Sequence, residues 1–263
     1  MSVSEEDLAA RTRGHMLTEL HFQVSRQTAP AGTLTGEAEL TPFMHAPGTP
    51  HLRSSVLIMW ADMLGGLLSL TAMRPRIPVT LELDVNLYRP APGAGPLRAV
   101  GETVKAGRSV YVVESAFMAA DGTPFAFSTG LFMATPDASL MAPSEHASMR
   151  VIVDAPALSV PLGERAGLKR LTPGVAELPL SDEGLNAANT MHGGLIGMAV
   201  EEAVLSLAPA GSTVSSLALR YLSPVRTGPA VATAAGGNGL YRVELRDAGN
   251  NDRLAVLATA RTF

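Results

Sequence analysis

Two carboxylates sit in apolar surroundings. Asp62 lies within the apolar stretch from Ser55 to Leu70, and Glu201 within the stretch from Gly194 to Leu207. A buried charge must be paired or must shift its pKa, so each is a candidate for chemistry. Immediately before the second stretch comes Asn186, then His192, Gly193 and Gly194. A carboxylate can take a proton from water or attack a carbonyl carbon itself. A helix start offers unpaired N–H groups and the positive end of the helix dipole. Such donors suit the negative charge that develops on a carbonyl oxygen under attack. Gly193 would let that oxygen come close to the backbone, and the amide of Asn186 can hold water or substrate.

Each residue also has a plainer reading. Glu201 could be a satisfied buried acid, and Glu202 beside it reads as structural. His192 could cap the helix or brace the loop. Gly193 and Gly194 could form only a tight turn, and Asn186 could be a turn former. Arg53 could be an ordinary surface cation. Trp60 and methionines such as Met59, Met63 and Met198 read as core.

The elements that position these residues occur twice. The segment from Arg53 to Leu64 aligns with the segment from His192 to Ala203 at an offset of 192 − 53 = 139, which lays Asp62 over Glu201. Upstream, Gly36–Leu40 resembles Gly174–Leu178. Downstream, Leu83–Pro90 resembles Leu217–Pro224 at an offset of 217 − 83 = 134, so the first unit carries 139 − 134 = 5 extra residues near Met73–Pro78. Three matches in one order indicate duplication. The expected units are 1–135 and 150–263, joined by a Pro/Ser/Ala-rich linker at 136–149.

Each unit opens with short alternating segments, such as His21–Ser25 and Thr33–Leu40. One helix follows, over Ser55–Leu70 or Gly194–Leu207. Strands come next, at Thr80–Tyr88, Arg98–Lys105, Ser109–Ala119 and Phe125–Ala134. Their counterparts are Thr213–Leu222, Ala230–Ala235, Leu240–Asp247 and Leu254–Phe263. The helices are apolar nearly all round, which marks them as buried. The expected fold is α+β: two tandem hotdog units, each an antiparallel sheet wrapped round one long central helix.

Composition narrows the partners. The net charge is −4 and no basic stripe is visible, which argues against nucleic acid. The chain has no cysteine, which excludes disulfides, thiolate metal sites and a Cys nucleophile. The first residues are acidic and lack the form of a signal peptide. The longest apolar run, Leu195–Val200, is too short to cross a membrane. The expectations are a cytoplasmic protein that needs no metal or cofactor and has no membrane partner.

The constellation of Asn186, His192-Gly193-Gly194 and Glu201 resembles the active-site segment of hotdog acyl-CoA thioesterases of the phenylacetate-pathway and hydroxybenzoyl-CoA types. The pattern Tyr221–Gly228 is similar to the strand that follows the helix in that family. The likeness covers about residues 172–263; the first unit joins it through the repeat. It implies hydrolysis of an acyl-CoA, or acyl-carrier, thioester. The implied catalytic residues are Asp62, Asn186, His192, Gly193 and Glu201, with Gly194, Arg53 and Arg226 contacting substrate. The first unit departs from the pattern, with Pro47 in place of Asn186 and Arg53-Ser54-Ser55 in place of His-Gly-Gly. Arg53 could there hold a CoA phosphate or block its site.

One helix cannot build the site alone. Nine residues separate His192 from Glu201, which is about 13 Å along a helix. Two antiparallel helices related by a pseudo-twofold can. Site one then joins Asp62 to Asn186, His192 and Gly193, and site two joins Glu201 to the Pro47–Ser55 loop. Covalent pairing implies a monomer that is a pseudo-dimer, or a homodimer of chains. Two other readings stand beside this one: a non-catalytic acyl-CoA sensor or scaffold, and a double-hotdog hydratase or dehydratase. The motifs of the last two are not found: no His has a Gly four places on, and Asp84-Val85-Asn86 ends in Arg89 where the hydratase pattern needs His.

Overall fold

The computed structural model describes residues 15–25, 31–142 and 156–263. The first unit contains β1 (Gln23–Ser25), β2 (Thr33–Leu40), α1 (Ser54–Met73), β3 (Pro78–Leu87), β4 (Gly95–Ala106), β5 (Tyr111–Met118) and β6 (Pro124–Ala134). The second contains α2 (Leu162–Arg165), β7 (Lys169–Thr172), β8 (Val175–Leu178), α3 (Gly193–Leu207), β9 (Val214–Tyr221), β10 (Ala230–Gly237), β11 (Leu240–Asp247) and β12 (Arg253–Thr262).

All twelve strands form one antiparallel sheet, ordered β1-β2-β4-β5-β6-β3-β9-β12-β11-β10-β8-β7. Read inward from either end, the two halves follow the same order. They join at β3 and β9, where Asp84 stands opposite Ala218. Those two residues are 218 − 84 = 134 apart, the offset of the repeat in this region, so the pseudo-twofold passes between them. The fold is thus the expected α+β hotdog, present twice.

The strands alternate as a half-buried sheet requires. In β5, Tyr111, Val113, Ser115 and Phe117 face inward, while Glu114 and Ala116 are exposed. Each half curls round its own helix. Val56 to Ala61 of α1 and Leu195 to Leu205 of α3 are buried without a break. Trp60 is 1% exposed and stacks on Phe22 with ring centroids 4.9 Å apart. Burying such a side chain contributes roughly 1.5–3 kcal/mol. The extra length of the first unit lies in its helix, which has 20 residues against 15 in α3, a difference of five.

By length and composition alone, Ser54–Met73 could cross a membrane, contrary to the expectation that no segment could. The sheet encloses it instead, as the core helix of a hotdog.

Each leading segment crosses to the other unit. A 3-10 turn at Met16–Leu20 packs on the second unit, where Leu158 N–H donates to the Glu19 carbonyl and Arg165 forks onto the Glu19 carboxylate. In return α2 lies beside Arg53: a Cβ on Gly163 would stand 3.4 Å from Arg53 Nη1. The expected linker begins with residues that still serve the first unit, because Ala142 N–H donates to the Pro75 carbonyl and Ile77 N–H to that of Leu140. The rest of that linker, 143–149, lies outside the described residues.

Candidate active site

Helices α1 and α3 run antiparallel across the pseudo-twofold. Asp62 faces Gly193, Met59 faces Gly194, Ile58 faces Gly197, and Ser54 and Ser55 face Glu201. Each carboxylate therefore meets the helix start of the opposite unit, as the length of a helix requires.

The loop before α3 is built by its own side chains. Asn186 Oδ1 accepts from Ala188 N (2.9 Å), Thr190 N (3.2 Å) and Thr190 Oγ1 (3.1 Å), an Asx turn. Leu185 bridges to Met191, and His192 N–H donates to the Gly184 carbonyl. His192 is the N-cap: its Nδ1 accepts from Gly194 N at 3.0 Å. On a neutral ring this bond places the proton on Nε2. That nitrogen lies 3.6 Å from Asp62 Oδ2, too far for a hydrogen bond. Burial lowers the His192 pKa to about 4, so the ring is neutral at neutral pH.

Asp62 is held from its other side, where Thr80 Oγ1 donates to Oδ1 at 2.7 Å. Burial raises its pKa to about 6, partly offset by that bond. Oδ2 points at the helix start and would be 3.2 Å from a Cβ on Gly193. The Tyr221 hydroxyl would be 3.1 Å from the same point, and it donates to the Gly193 carbonyl at 3.0 Å. Burial, and then the Asp62 charge, push the Tyr221 pKa well up, so it remains a donor. A side chain at position 193 would crowd the Asp62 carboxylate and the Tyr221 ring. Asp62, His192, Gly193 and Tyr221 thus meet at the start of α3.

The equivalent place in site two is full. Glu201, wholly buried, accepts from Ser54 N (2.8 Å), Ser55 N (3.3 Å), Ser55 Oγ (2.5 Å) and Arg53 Nε (3.2 Å). Arg53 also pairs with Glu202, whose other oxygen pairs with Arg170. Burial opposes the charge on Arg53, but Glu201 and Glu202 outweigh it and raise its pKa.

Several expectations are corrected by this geometry. Glu201 has no free face toward a substrate, because the N–H groups and guanidinium of the first unit's loop saturate it. Arg53 is not a phosphate ligand: it is 3% exposed and locked between two carboxylates. Gly194 does not face Asp62. It brings the helices together, since a Cβ there would lie 2.4 Å from Met59 Cγ and 2.8 Å from Met59 Cα. The hydrogen bonds of Asn186 stay within its loop, so it shapes the helix start and does not touch Asp62 through them. Arg226 is exposed, and its backbone N–H is anchored on Asp247.

Thr80 and Tyr221 join the site with no signal of it in the sequence. Tyr221 stood within the family-like pattern, but nothing in the sequence showed that its hydroxyl returns to Gly193. Among the described residues no cluster of His, Asp and Glu could hold a metal ion.

Residues 54–126 match the family model of the thioesterase superfamily. No curated protein matches the chain. Among solved structures, it is similar to an acyl-ACP thioesterase from Bacteroides thetaiotaomicron, with TM-score 0.61, 13% identity, and 88% of this chain and 98% of that one covered. It is likewise similar to the 12:0-ACP thioesterase from Umbellularia californica, with TM-score 0.61, 12% identity, and coverage of 89% and 98%. At these identities the likeness establishes the fold, a tandem hotdog along nearly the whole chain.

Proposed function

We propose that this chain, which carries the hotdog fold of the thioesterase superfamily in two copies, hydrolyses an acyl thioester at a single site. The observation that carries the reading is the placement of the Asp62 carboxylate against the start of α3, with Oδ2 toward Gly193. The ionised Asp62 takes a proton from water as the water oxygen attacks the thioester carbon. Gly193 N–H, at the first helical position where no intrahelical carbonyl can accept it, faces the carbonyl oxygen as charge develops there. When the tetrahedral intermediate collapses, the C–S bond breaks, the thiolate takes up a proton, and a carboxylic acid remains.

His192 fixes the loop by capping α3 and presents Nε2–H beside Asp62, where a water or carbonyl oxygen could touch both. Asn186 holds the turn that leads to this cap. The preference for CoA rests on the resemblance of residues 186–201 to acyl-CoA enzymes. Two of the similar structures carry acyl-ACP names, so carrier-protein thioesters belong among the substrates tested. Because both helices of the site belong to one chain, a monomer suffices for activity, and a homodimer of chains is compatible with it.

The test is release of free thiol from a panel of acyl-CoA and acyl-carrier thioesters. Turnover by the wild-type protein, lost in Asp62→Asn, supports the reading. Saturable binding of acyl-CoA without thiol release would replace it with a binding module. A light-scattering mass of four or more chains would contradict the proposed assembly.

A further inference from the structure

We infer that His15 is a positioning residue for this site: its imidazole, delivered by the leading segment of the first unit, holds the His192 ring in the orientation that aims Nε2–H at Asp62. The inference rests on the proposed role of Asp62, but its geometry stands independently.

His15 is the N-cap of the 3-10 turn at Met16–Leu20, and its Nδ1 accepts from Leu17 N at 3.1 Å. That bond holds one edge of the ring, and the two imidazoles pack in an edge-to-face arrangement at a centroid distance of 5.5 Å and an interplanar angle of 69°. Edge-to-face contact of this kind has a preferred geometry and resists rotation of either ring. His192 needs such a restraint. Its Nδ1 bond to Gly194 holds one edge of the ring, and the gap of 3.6 Å to Asp62 supplies no hydrogen bond on the other side.

The segment that carries His15 is firmly seated. Met16, Leu17 and Leu20 are buried, Met16 packs near Gly184 in the loop before His192, and Glu19 is clasped by Arg165. The two pseudo-symmetric sites also differ at this point. At site two, the crossing segment presents the backbone of Gly163 to Arg53, with no ring. The aromatic brace is present only where a histidine stands at the helix start.

Two substitutions separate the ring from the cap. His15→Asn keeps a side-chain acceptor suited to an N-cap and removes the ring. His15→Phe keeps the ring and removes the acceptor. The expected result is that Asn lowers kcat by about tenfold or more through misplacement, with little change in KM, while Phe stays near wild type. The pH midpoint of kcat should also move in the Asn variant. The groups that face the two rings and bear on it are Asp62, Tyr221 and Glu183. A role limited to capping would give the opposite pattern, and wild-type kcat in both variants would remove the role altogether.

A second readout does not depend on hydrolysis. Crystal structures of the variants should keep His192 Nε2 beside Asp62 in the Phe variant and show the ring turned away in the Asn variant. An unchanged His192 ring in His15→Asn would overturn the inference. If the wild-type protein released no thiol from any substrate, the proposed function would fall while this readout still decided the role of His15.

Discussion

Asp62 and Glu201 hold equivalent places and differ by one methylene group. The longer Glu201 reaches two backbone N–H groups at the start of α1 and saturates them. The shorter Asp62 turns one oxygen to Thr80 and does not bond the start of α3. Asp62→Glu should therefore close site one in the manner of site two, with activity falling although a carboxylate is retained. Asp62→Asn should reduce kcat by roughly 10²–10⁴, the range for loss of a general base. Because the base must be ionised, kcat should rise through about pH 6 and level off above it. Stability carries the opposite sign. The folded protein holds the Asp62 proton up to about pH 6, whereas an unfolded aspartate loses it near 3.8, so Asp62 lowers stability as pH rises through that window. His192, with its pKa lowered to about 4, raises stability with pH over nearly the same window. Removing the carboxylate leaves the histidine unopposed. Asp62→Asn should be more stable at neutral pH, by up to about 3 kcal/mol, and its melting temperature should climb more steeply between pH 4 and 6.

The decisive element is the antiparallel pair α1 and α3. Gly194→Ala would drive a methyl group into the Met59 backbone, and overpacking of this kind costs typically 1–3 kcal/mol. Denaturant unfolding should show the loss, and a wild-type midpoint would mean that the helices can part without penalty. Much of this element was legible in the sequence. Apolar runs that carry an acid mark both helices, the repeat marks the five-residue difference, and helix rise implies the exchange of carboxylates between units. Arg53 was not legible. Its two partners lie far along the chain, and no periodicity distinguishes a buried arginine from a solvated one. His15 was hidden for the same reason: its role depends on a segment that crosses from one unit to the other.

Across the whole molecule, the two pseudo-equivalent sites are built differently. At site one Asp62 bonds Thr80 and not the helix start, and site two is a network of Arg53, Glu201, Glu202 and Arg170 at the junction of the units. Removing one partner from a buried network strands the others and costs about 3–5 kcal/mol. Arg53→Ala should lose stability on that scale while its kcat, measured well below the melting temperature, stays within about twofold of wild type, as expected for a change outside site one. A large fall in kcat for folded Arg53→Ala would show that site two contributes to turnover. Titration with a tight-binding substrate analogue should give one site per chain.

That the two units, paired at β3 and β9, lie on one chain has a consequence for inheritance. In a dimer of identical copies, one gene encodes both the loop and the acid of both sites, so a change that closes one closes the other. Joining the units on one chain breaks that bond. On the proposed function, the Pro47–Ser55 loop and Glu201 then answer to selection for cohesion, while Asp62 and residues 186–194 answer to selection for chemistry. A saturation mutagenesis screen that scores folding and turnover separately should find the two sets of positions intolerant for different reasons, although they began as copies of one another.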